Sequence, residues 1–339
     1  MSQPKFKKYS SLENHTRDKF IHSLIQNGMT EGEWVAREKV HGANFSFWYT
    51  GGDEDVYTGK RSGPIAGDNF FSSYKLDKYK PAVEITYENL LEAGMLEKGD
   101  LIGVYGEIFG GHFFGNQEPG SKAVQAGMNY HPGTEFVAFD IMIFKHDGMY
   151  ILSDDEMVEH IAEEIPLAPE VGRGEFNDLL MLDNDFQSLI PGIFKLEVPE
   201  GEKAQCEGFV MRPSSGDKFL SSGARAIIKH KNKAFNEKGG NKDPKRFKDA
   251  ALTDEETEIF KKFSVYFNSV RLESVLSKEG EVTWKDFGRV NGLLIQDAMK
   301  DFDHDNDFNI KDGDFWGKAS KAVGNLAGEV VREYFKKHL

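Results

Sequence analysis

The pattern of apolar and polar residues changes period several times along the first two thirds of the chain. Alternating apolar residues over 34–49, and apolar runs over 101–109 and 136–144, predict strands that are half or fully buried. Shorter strand signals occur at 56–58, 207–211 and 224–229. Helical spacing predicts helices near 20–25, 75–98 and 153–165. Strands and helices mixed without a regular βαβ order favour an α+β domain of antiparallel sheets with flanking helices.

Capping boxes, in which Ser or Thr precedes Glu by three residues, mark the predicted helix starts. The pair Ser10/Glu13 predicts that the first helix begins there and ends near position 27. The pair Ser153/Glu156 predicts the start of the third helix.

The last third of the chain has a different pattern. Residues 237–250 are polar and basic, contain Gly and Pro, and have no periodicity, which is typical of a linker. Beyond them, helices are predicted over 253–270, 284–299 and 323–334. We therefore predict an α+β domain over 1–236, a basic linker over 237–250 and a smaller all-helical domain over 251–339.

Length and composition agree with this division. A chain of 339 residues exceeds the usual size of one core, so two domains are expected. No apolar run approaches the roughly 18 residues that cross a bilayer, and the first residues lack the apolar stretch of a signal peptide. We expect a cytoplasmic protein. The single Cys206 excludes an intramolecular disulfide and a thiolate-only zinc site.

The charge distribution is uneven. A net charge of −14 argues against a protein that binds polyanions over its whole surface. The segment 225–248 reverses this balance, with nine basic and two acidic residues. Two interpretations stay open for this segment: a solvated strand edge and linker, or a track that faces phosphates.

Two stretches resemble known ligand-binding loops but differ at a decisive residue. Residues 115–122 nearly match the phosphate-binding loop G-x-x-x-x-G-K-[ST], but their last two residues are in reversed order. Residues 301–312 have the acidic pattern of a calcium loop, but Asn306 stands where a glycine makes the sharp turn. We interpret the first as a Gly-rich connector and the second as a solvated acidic loop.

Lys39 is the most unusual polar residue, because it lies in an apolar, aromatic stretch just before Gly42 and Asn44. Five further blocks combine glycine, charged residues and apolar strand positions. They are K-R-S-G-P-I at 60–65, Y-G-E-I-F at 105–109, F-V-A-F-D-I at 136–141, C-E-G-F-V-M-R-P at 206–213 and I-I-K-H-K at 227–231. Each block alone is a weak signal of function. All the blocks together, in this order and with this spacing, are not a weak signal.

Together these blocks resemble motifs I, Ia, III, IIIa, IV and V of the covalent nucleotidyltransferases, which include ATP-dependent ligases and RNA capping enzymes. The closer resemblance is to the RNA ligase 2 family of bacteriophages, with the trypanosome RNA-editing ligases as relatives. It extends over nearly the whole chain, through F-K-K-Y-S-S-L-E-N at 6–14 and K-D-F-G-R-V at 285–290. His41 stands where DNA ligases and capping enzymes typically have Asp, and the tail lacks the strand pattern of their OB-fold. Both features indicate that the substrate is RNA.

The resemblance implies a role for each matching residue. Lys39 is expected to form a covalent lysyl-AMP, with Lys229, Lys231 and Glu207 as its catalytic partners. The nucleotide is expected to contact Glu38, Val40, Asn44, Arg61, Glu107, Phe139, Glu207, Lys229 and Lys231. Within that set, Phe139 stacks on adenine, Glu107 binds the ribose and Glu207 holds Mg²⁺ or Mn²⁺ through water. RNA is expected to bind at a set of residues that spans both predicted domains, with Asp301 as a further candidate: Asn44, Arg61, Arg271 and Asp297.

The chemistry explains why a lysine needs such surroundings. Only a neutral amine attacks the α-phosphate of ATP, and a free lysine titrates near ~10.4. Burial and the neighbouring positive charges of Lys229, Lys231 and Mg²⁺ are expected to favour the neutral form.

The function expected from this resemblance is ATP-dependent joining of RNA 3′-OH and 5′-phosphate ends, at nicks in duplex RNA, by a monomeric enzyme. A DNA nick ligase or a capping-type guanylyltransferase is the enzymatic alternative. A non-catalytic RNA-binding protein is the other alternative, and a binding protein leaves no covalent nucleotide label.

Overall fold

A computed structural model describes residues 6–52, 55–67, 70–235, 252–312 and 314–339. The chain separates into two compact units, Met1–Ala234 and Phe235–Leu339. The predicted linker 237–250 lies outside the described residues. In the part of the chain that is described, no helix combines the length and apolarity needed to cross a membrane.

The first unit has an α+β architecture with two sheets, which confirms the predicted fold class. The first sheet has the spatial order β1-β11-β10-β2-β9. Its strands are β1 (Glu13–Asn14), β2 (Glu33–Glu38), β9 (Glu170–Glu175), β10 (Gly208–Pro213) and β11 (Ile228–Lys231). All pairs are antiparallel except the short pair of β1 with β11, which is parallel.

The second sheet has the order β5-β4-β3-β6-β7-β8, and all its pairs are antiparallel. Its strands are β3 (Ala43–Tyr49), β4 (Tyr57–Lys60), β5 (Gly63–Pro64), β6 (Leu101–His112), β7 (His131–Lys145) and β8 (Gly148–Ile151). The two long central strands are the apolar runs predicted over 101–109 and 136–144. Residues of β3, β6 and β7 form the largest core with helix α2 (Lys80–Glu92), which follows a 3₁₀ helix at Ser73–Tyr79.

The other helices of this unit are short. They are α1 (Asp18–Gln26), α3 (Asp154–His160), α4 (Phe176–Leu180) and α5 (Ile190–Ile193). The capping box Ser153/Glu156 forms as predicted. The Ser10/Glu13 prediction is wrong, because Glu13 pairs with β11 as part of β1 and the helix begins only at Asp18.

The second unit is helical, as predicted. It contains α6 (Asp254–Ser264), α7 (Ser269–Glu279), α8 (Phe287–Asn306) and α9 (Phe315–His338), with a 3₁₀ helix at Trp284–Asp286. The helix predicted over 253–270 is two helices, since Asn268 caps α7 with its side chain. The acidic stretch 301–312 is not the predicted loop in its first half, which belongs to α8.

Candidate active site

Lys39 lies in the short connection between β2 of the first sheet and β3 of the second. Its backbone N–H donates to the Gly208 carbonyl at 2.8 Å, so β10 holds the connection in place. Gly42 ends the connection against β6: a Cβ atom at this position would lie 2.2 Å from the Ile108 carbonyl oxygen. Only glycine allows this close approach, which explains the glycine three residues after the lysine.

Glu207 is the centre of the charged cluster around Lys39. The Lys39 Nζ donates to Glu207 Oε2 at 2.6 Å, and the Lys231 Nζ lies 2.9 Å from Glu207 Oε1. The His41 Nδ1 is 3.2 Å from the same Oε2 atom as Lys39. Residues from three blocks that are far apart in sequence therefore meet at one carboxylate.

Burial and charge act in opposite directions on Glu207. Burial raises its pKa, but the charges of Lys231, Lys39 and His41 outweigh burial and hold the pKa well below its usual range. Glu207 is therefore ionised near neutral pH. The amine of Lys39 faces a carboxylate in this state, so the positively charged surroundings expected from sequence are only part of its environment.

Glu107 lies beside this cluster on β6. Its Oε1 accepts a hydrogen bond from the Gly42 N–H at 3.2 Å. Burial raises the pKa of Glu107 to about 7, against the opposing charge of Lys39. Asn44 is directly opposite Glu107 in the β3–β6 register, so both predicted residues lie at the same level of the second sheet.

Glu38, the last residue of β2, is buried and already hydrogen bonded. The Ser188 hydroxyl donates to its Oε1 at 2.6 Å, and the Leu189 N–H donates to its Oε2 at 2.7 Å. Burial raises the pKa of Glu38 to about 7, against these two hydrogen bonds. The carboxylate holds the segment before α5, which indicates a positioning role at the end of β2.

Lys229 and Lys231 alternate on β11, as the sequence predicted. Lys231 is opposite Gly208 and Lys229 is opposite Val210 on β10. On the other side, the His15 N–H donates to the Lys229 carbonyl at 3.0 Å, so β1 supports the strand that carries both lysines. The alternation places both side chains on one face of the first sheet.

The other residues predicted to contact the nucleotide have the following surroundings. Val40 is buried beside Lys39. Phe139 packs in a cluster with Tyr9 and Trp48, its ring 5.1 Å from that of Tyr9. Arg61 follows β4 and donates to the Ser11 hydroxyl at 3.0 Å.

In the second unit, Arg271 is almost fully buried. Its Nη1 contacts Asp297 Oδ2 at 2.7 Å and Asp301 Oδ2 at 2.8 Å, and the Lys278 Nζ contacts Asp297 Oδ1 at 2.6 Å. These contacts join α7 to α8. The RNA-binding roles of Arg271 and Asp297 stay predictions.

Two further residues contact the Lys39 connection but were not predicted. The Tyr130 hydroxyl accepts the His41 N–H at 3.3 Å, and the Gln125 Nε2 donates to the Gly42 carbonyl at 2.7 Å. Both are buried and come from the loop between β6 and β7. No periodicity marks this loop, so only a polar residue in an otherwise apolar surrounding could have drawn attention to them.

A second buried charge cluster lies in the same unit around Asp140. Asp140 accepts from the Tyr9 hydroxyl and from Arg212, both at 2.9 Å, and contacts Arg225. Arg212 and Arg37 both reach Asp154, Arg37 with two hydrogen bonds of 2.6 and 2.7 Å. A buried Asp in an apolar strand requires such partners, so the F-D-I run at 139–141 contained the signal for this cluster.

The residues around Lys39 fit a divalent cation whose ligands are mainly water molecules and substrate phosphates. Within the described ranges, no three His, Cys, Asp or Glu side chains are arranged to hold a metal ion. Mg²⁺ usually keeps several waters and binds one or two carboxylates together with substrate phosphates. An ionised carboxylate such as Glu207, next to lysines suited to phosphate, meets that requirement.

The comparison with protein families agrees with the fold and with the charged cluster. The RNA ligase family matches residues 32–231, and the T4 RNA ligase 2 C-terminal family matches residues 250–327. The first match covers more than half of the chain, so this chain belongs to the RNA ligase family.

Similar characterised proteins come from Trypanosoma brucei brucei. The mitochondrial RNA-editing ligase 2 is 29% identical over 259 residues, which is 68% of this chain and 61% of that protein. The mitochondrial RNA-editing ligase 1 is 29% identical over 239 residues, which is 62% of this chain and 50% of that protein. The chain thus spans half to three fifths of the length of these relatives.

Solved structures with a partial likeness include RNA ligases of Naegleria gruberi. A mutant with ATP and Mn has a TM-score of 0.44 and 15% identity, covering 68% of this chain and 58% of that chain. The ligase with PPi has a TM-score of 0.39 and 14% identity over the same shares of the two chains.

Proposed function

We propose that the protein is an ATP-dependent RNA ligase that joins 3′-OH and 5′-phosphate ends, acting as a monomer on nicks in duplex RNA during RNA repair. One observation carries the proposal: Glu207 contacts the amine of Lys39 at 2.6 Å and the amine of Lys231 at 2.9 Å. A nucleophilic amine, an acidic group and a second cation in one place suit nucleotidyl transfer.

The first step makes Lys39 the nucleophile. Its neutral amine attacks the α-phosphorus of ATP, so that a P–N bond forms, the P–O bond to pyrophosphate breaks and the amine loses a proton. Because the amine is paired with Glu207 before the reaction, this pair has to separate first. Lys231 then faces the phosphate charge that develops during the attack.

When bound near Glu207, Mg²⁺ would supply charge neutralisation for the phosphates. Glu207 holds it through water in this proposal, and Lys229 and Lys231 orient the phosphate oxygens. In the following steps AMP passes to the 5′-phosphate of RNA, and the 3′-OH attacks that phosphate with AMP as leaving group.

Covalent labelling tests the proposal directly. The protein is incubated with Mg²⁺ and ATP labelled at the α-phosphate, and the label is mapped to a peptide. We expect the label on Lys39 and none on the Lys39→Ala variant, which keeps its thermal unfolding temperature. Absence of label from the wild-type protein, or label on another lysine, contradicts the proposal.

We further propose that the helical unit and the basic linker align the RNA ends. Binding energy from remote contacts usually sets such alignment. A truncation after about residue 245 keeps Lys39, Glu107, Glu207 and both lysines of β11, so it should still form lysyl-AMP but lose most sealing of 5′-phosphate nicks. Sealing of pre-adenylated nicks should suffer less. Full sealing by the truncated protein would refute this division of roles.

A further inference from the structure

Trp284 is a large aromatic residue on the surface of the helical unit. Its residue surface is 47% exposed, although a tryptophan is usually among the more buried residues. It begins the 3₁₀ helix Trp284–Asp286, which Thr283 caps: the Lys285 N–H donates to the Thr283 hydroxyl, and Asp286 accepts the Thr283 N–H. The exposed ring therefore lies on a hydrogen-bonded turn.

The inner edge of the Trp284 ring packs against another aromatic residue. Trp284 packs edge-on against the buried Phe335 of α9, with ring centroids 5.4 Å apart and an interplanar angle of 87°. Phe287 packs on the same Phe335 at 6.2 Å, and the Arg332 guanidinium lies 5.6 Å from the centre of the Phe287 ring. Two aromatic rings thus pack on one buried phenylalanine, and an arginine lies beside the second of these rings.

Three exposed cations lie close in sequence to these aromatic residues. Lys285 follows Trp284, and Lys336 follows Phe335; both are exposed, as is Arg332. Among the described residues, none of these three cations forms an ion pair with a carboxylate. Asp286 is already engaged by Thr283 and Arg289, which leaves exposed Glu333 as the nearest acid in sequence on α9.

A supported aromatic face with cations beside it matches the chemistry of an unpaired nucleotide. Bases stack on exposed aromatic rings regardless of sequence, and Arg and Lys bind the phosphates that follow. An exposed tryptophan also suits a protein partner, but three free cations would then require that partner to be acidic.

We propose that Trp284, Arg332 and Lys336 form a binding site for an unpaired nucleotide of RNA, with the base on Trp284 and phosphates on the two cations. This inference rests on the proposed ligase function for its RNA substrate. The site takes an unpaired nucleotide that flanks the nicked duplex, and it lies in the unit that we propose aligns the RNA.

The test measures the affinity of the full chain for a single-stranded RNA carrying 2-aminopurine, whose fluorescence falls on stacking. Trp284→Leu keeps an apolar contact with Phe335 but removes the stacking face, so we expect affinity to fall on the order of 10-fold and the fluorescence change to vanish. Trp284→Phe should retain most of both signals. Removing Arg332 or Lys336 should lower the slope of log affinity against log salt by about 0.7 each.

Phe308 provides the matched control, since it is an exposed aromatic residue of the same unit flanked by acidic residues. Phe308→Ala should leave RNA affinity unchanged. Equal affinity of wild type and Trp284→Leu overturns the inference, as does equal loss in Trp284→Phe and Trp284→Leu at unchanged unfolding temperature. Labelling of Lys39 by ATP separates this outcome from failure of the ligase proposal, because the Trp284 variants should label like the wild type.

Discussion

Glu207 and Asp140 are two buried carboxylates of the same unit, and each meets cations from distant parts of the chain. The partners of Asp140 are arginines whose side chains are only 5% and 4% exposed. Those of Glu207 are lysines whose side chains are 21% and 12% exposed. An arginine keeps its charge, whereas a lysine can lose a proton and become a nucleophile. The first cluster is suited to holding strands together, and the second to exchanging partners during a reaction.

The largest effect is expected from breaking the arginine cluster. Asp140→Ala removes the carboxylate shared by Arg212 and Arg225 and leaves them buried with only Asp154 and Asp217 as acidic partners, which should cost about 3–5 kcal/mol of unfolding free energy. Urea unfolding followed by circular dichroism measures this loss. Glu207→Ala should cost clearly less stability, because the lysines that contact Glu207 can reach solvent. Equal losses of stability in the two variants would contradict the proposed difference between the arginine cluster and the lysine cluster.

Breaking the lysine cluster should affect reaction rather than stability. Lys231→Ala is expected to slow lysyl-AMP formation about 10²–10³-fold, comparable to the loss of one oxyanion donor at about 2.7–4 kcal/mol. Lys229→Ala should act in the same direction. Lys233→Ala is the control, since Lys233 is exposed two residues further along the chain. The rates of labelling with α-labelled ATP test this prediction, and a normal rate in both strand variants would show that neither lysine takes part in the reaction.

A third prediction concerns pH and the buried Glu38. Its pKa of about 7 in the folded protein exceeds its ordinary value of 4.5, so the folded state binds the proton more tightly. The resulting stability is fully present below about pH 4.5 and is lost as pH rises through about 7. Relative to Glu38→Gln, the wild type should lose about 1–3 kcal/mol over this range, measured by urea unfolding at several pH values. If the difference in unfolding free energy between the wild type and Glu38→Gln stays the same at every pH, Glu38 does not titrate in this pH range.

The smallest effect is expected at an exposed ion pair of the same unit. Lys203 and Asp185 lie 2.7 Å apart, but both side chains are about half exposed. Lys203→Ala should change the unfolding free energy by about 0.2–1 kcal/mol, because solvent screens the pair. A loss as large as that of Asp140→Ala would show that burial does not separate these clusters.

The sequence was most informative where one period continued over many residues. The apolar runs of β6 and β7 and the helices of the second unit were predicted because burial imposes a repeat on the residues. The boundary of α1 was missed, since Glu13 forms a strand with residue 228 and no local pattern reveals so distant a partner. The motif blocks indicated Lys39, Glu207 and Lys231, but not that Glu207 pairs with both lysines.

Tyr130 and Gln125 show the same limit at the site itself. Both act through the backbone of the Lys39 connection, at His41 and Gly42. A hydrogen bond to backbone depends on where the chain passes and not on which side chain is there. Such contacts become visible only when the loop between β6 and β7 is placed in space.

The order of strands in the first sheet has a consequence for synthesis of the chain. Residues 13 and 14 pair with 228 and 229, and β2 pairs with β10 and β9, so every neighbour in this sheet except β10 and β11 is separated by more than a hundred residues. Pairing over such distances folds slowly, because a long loop must close before the contact forms. On the ribosome, both edges of β2 stay unpaired until β9 and β10 emerge. Chaperones that shield strand edges should therefore matter most for this unit during translation.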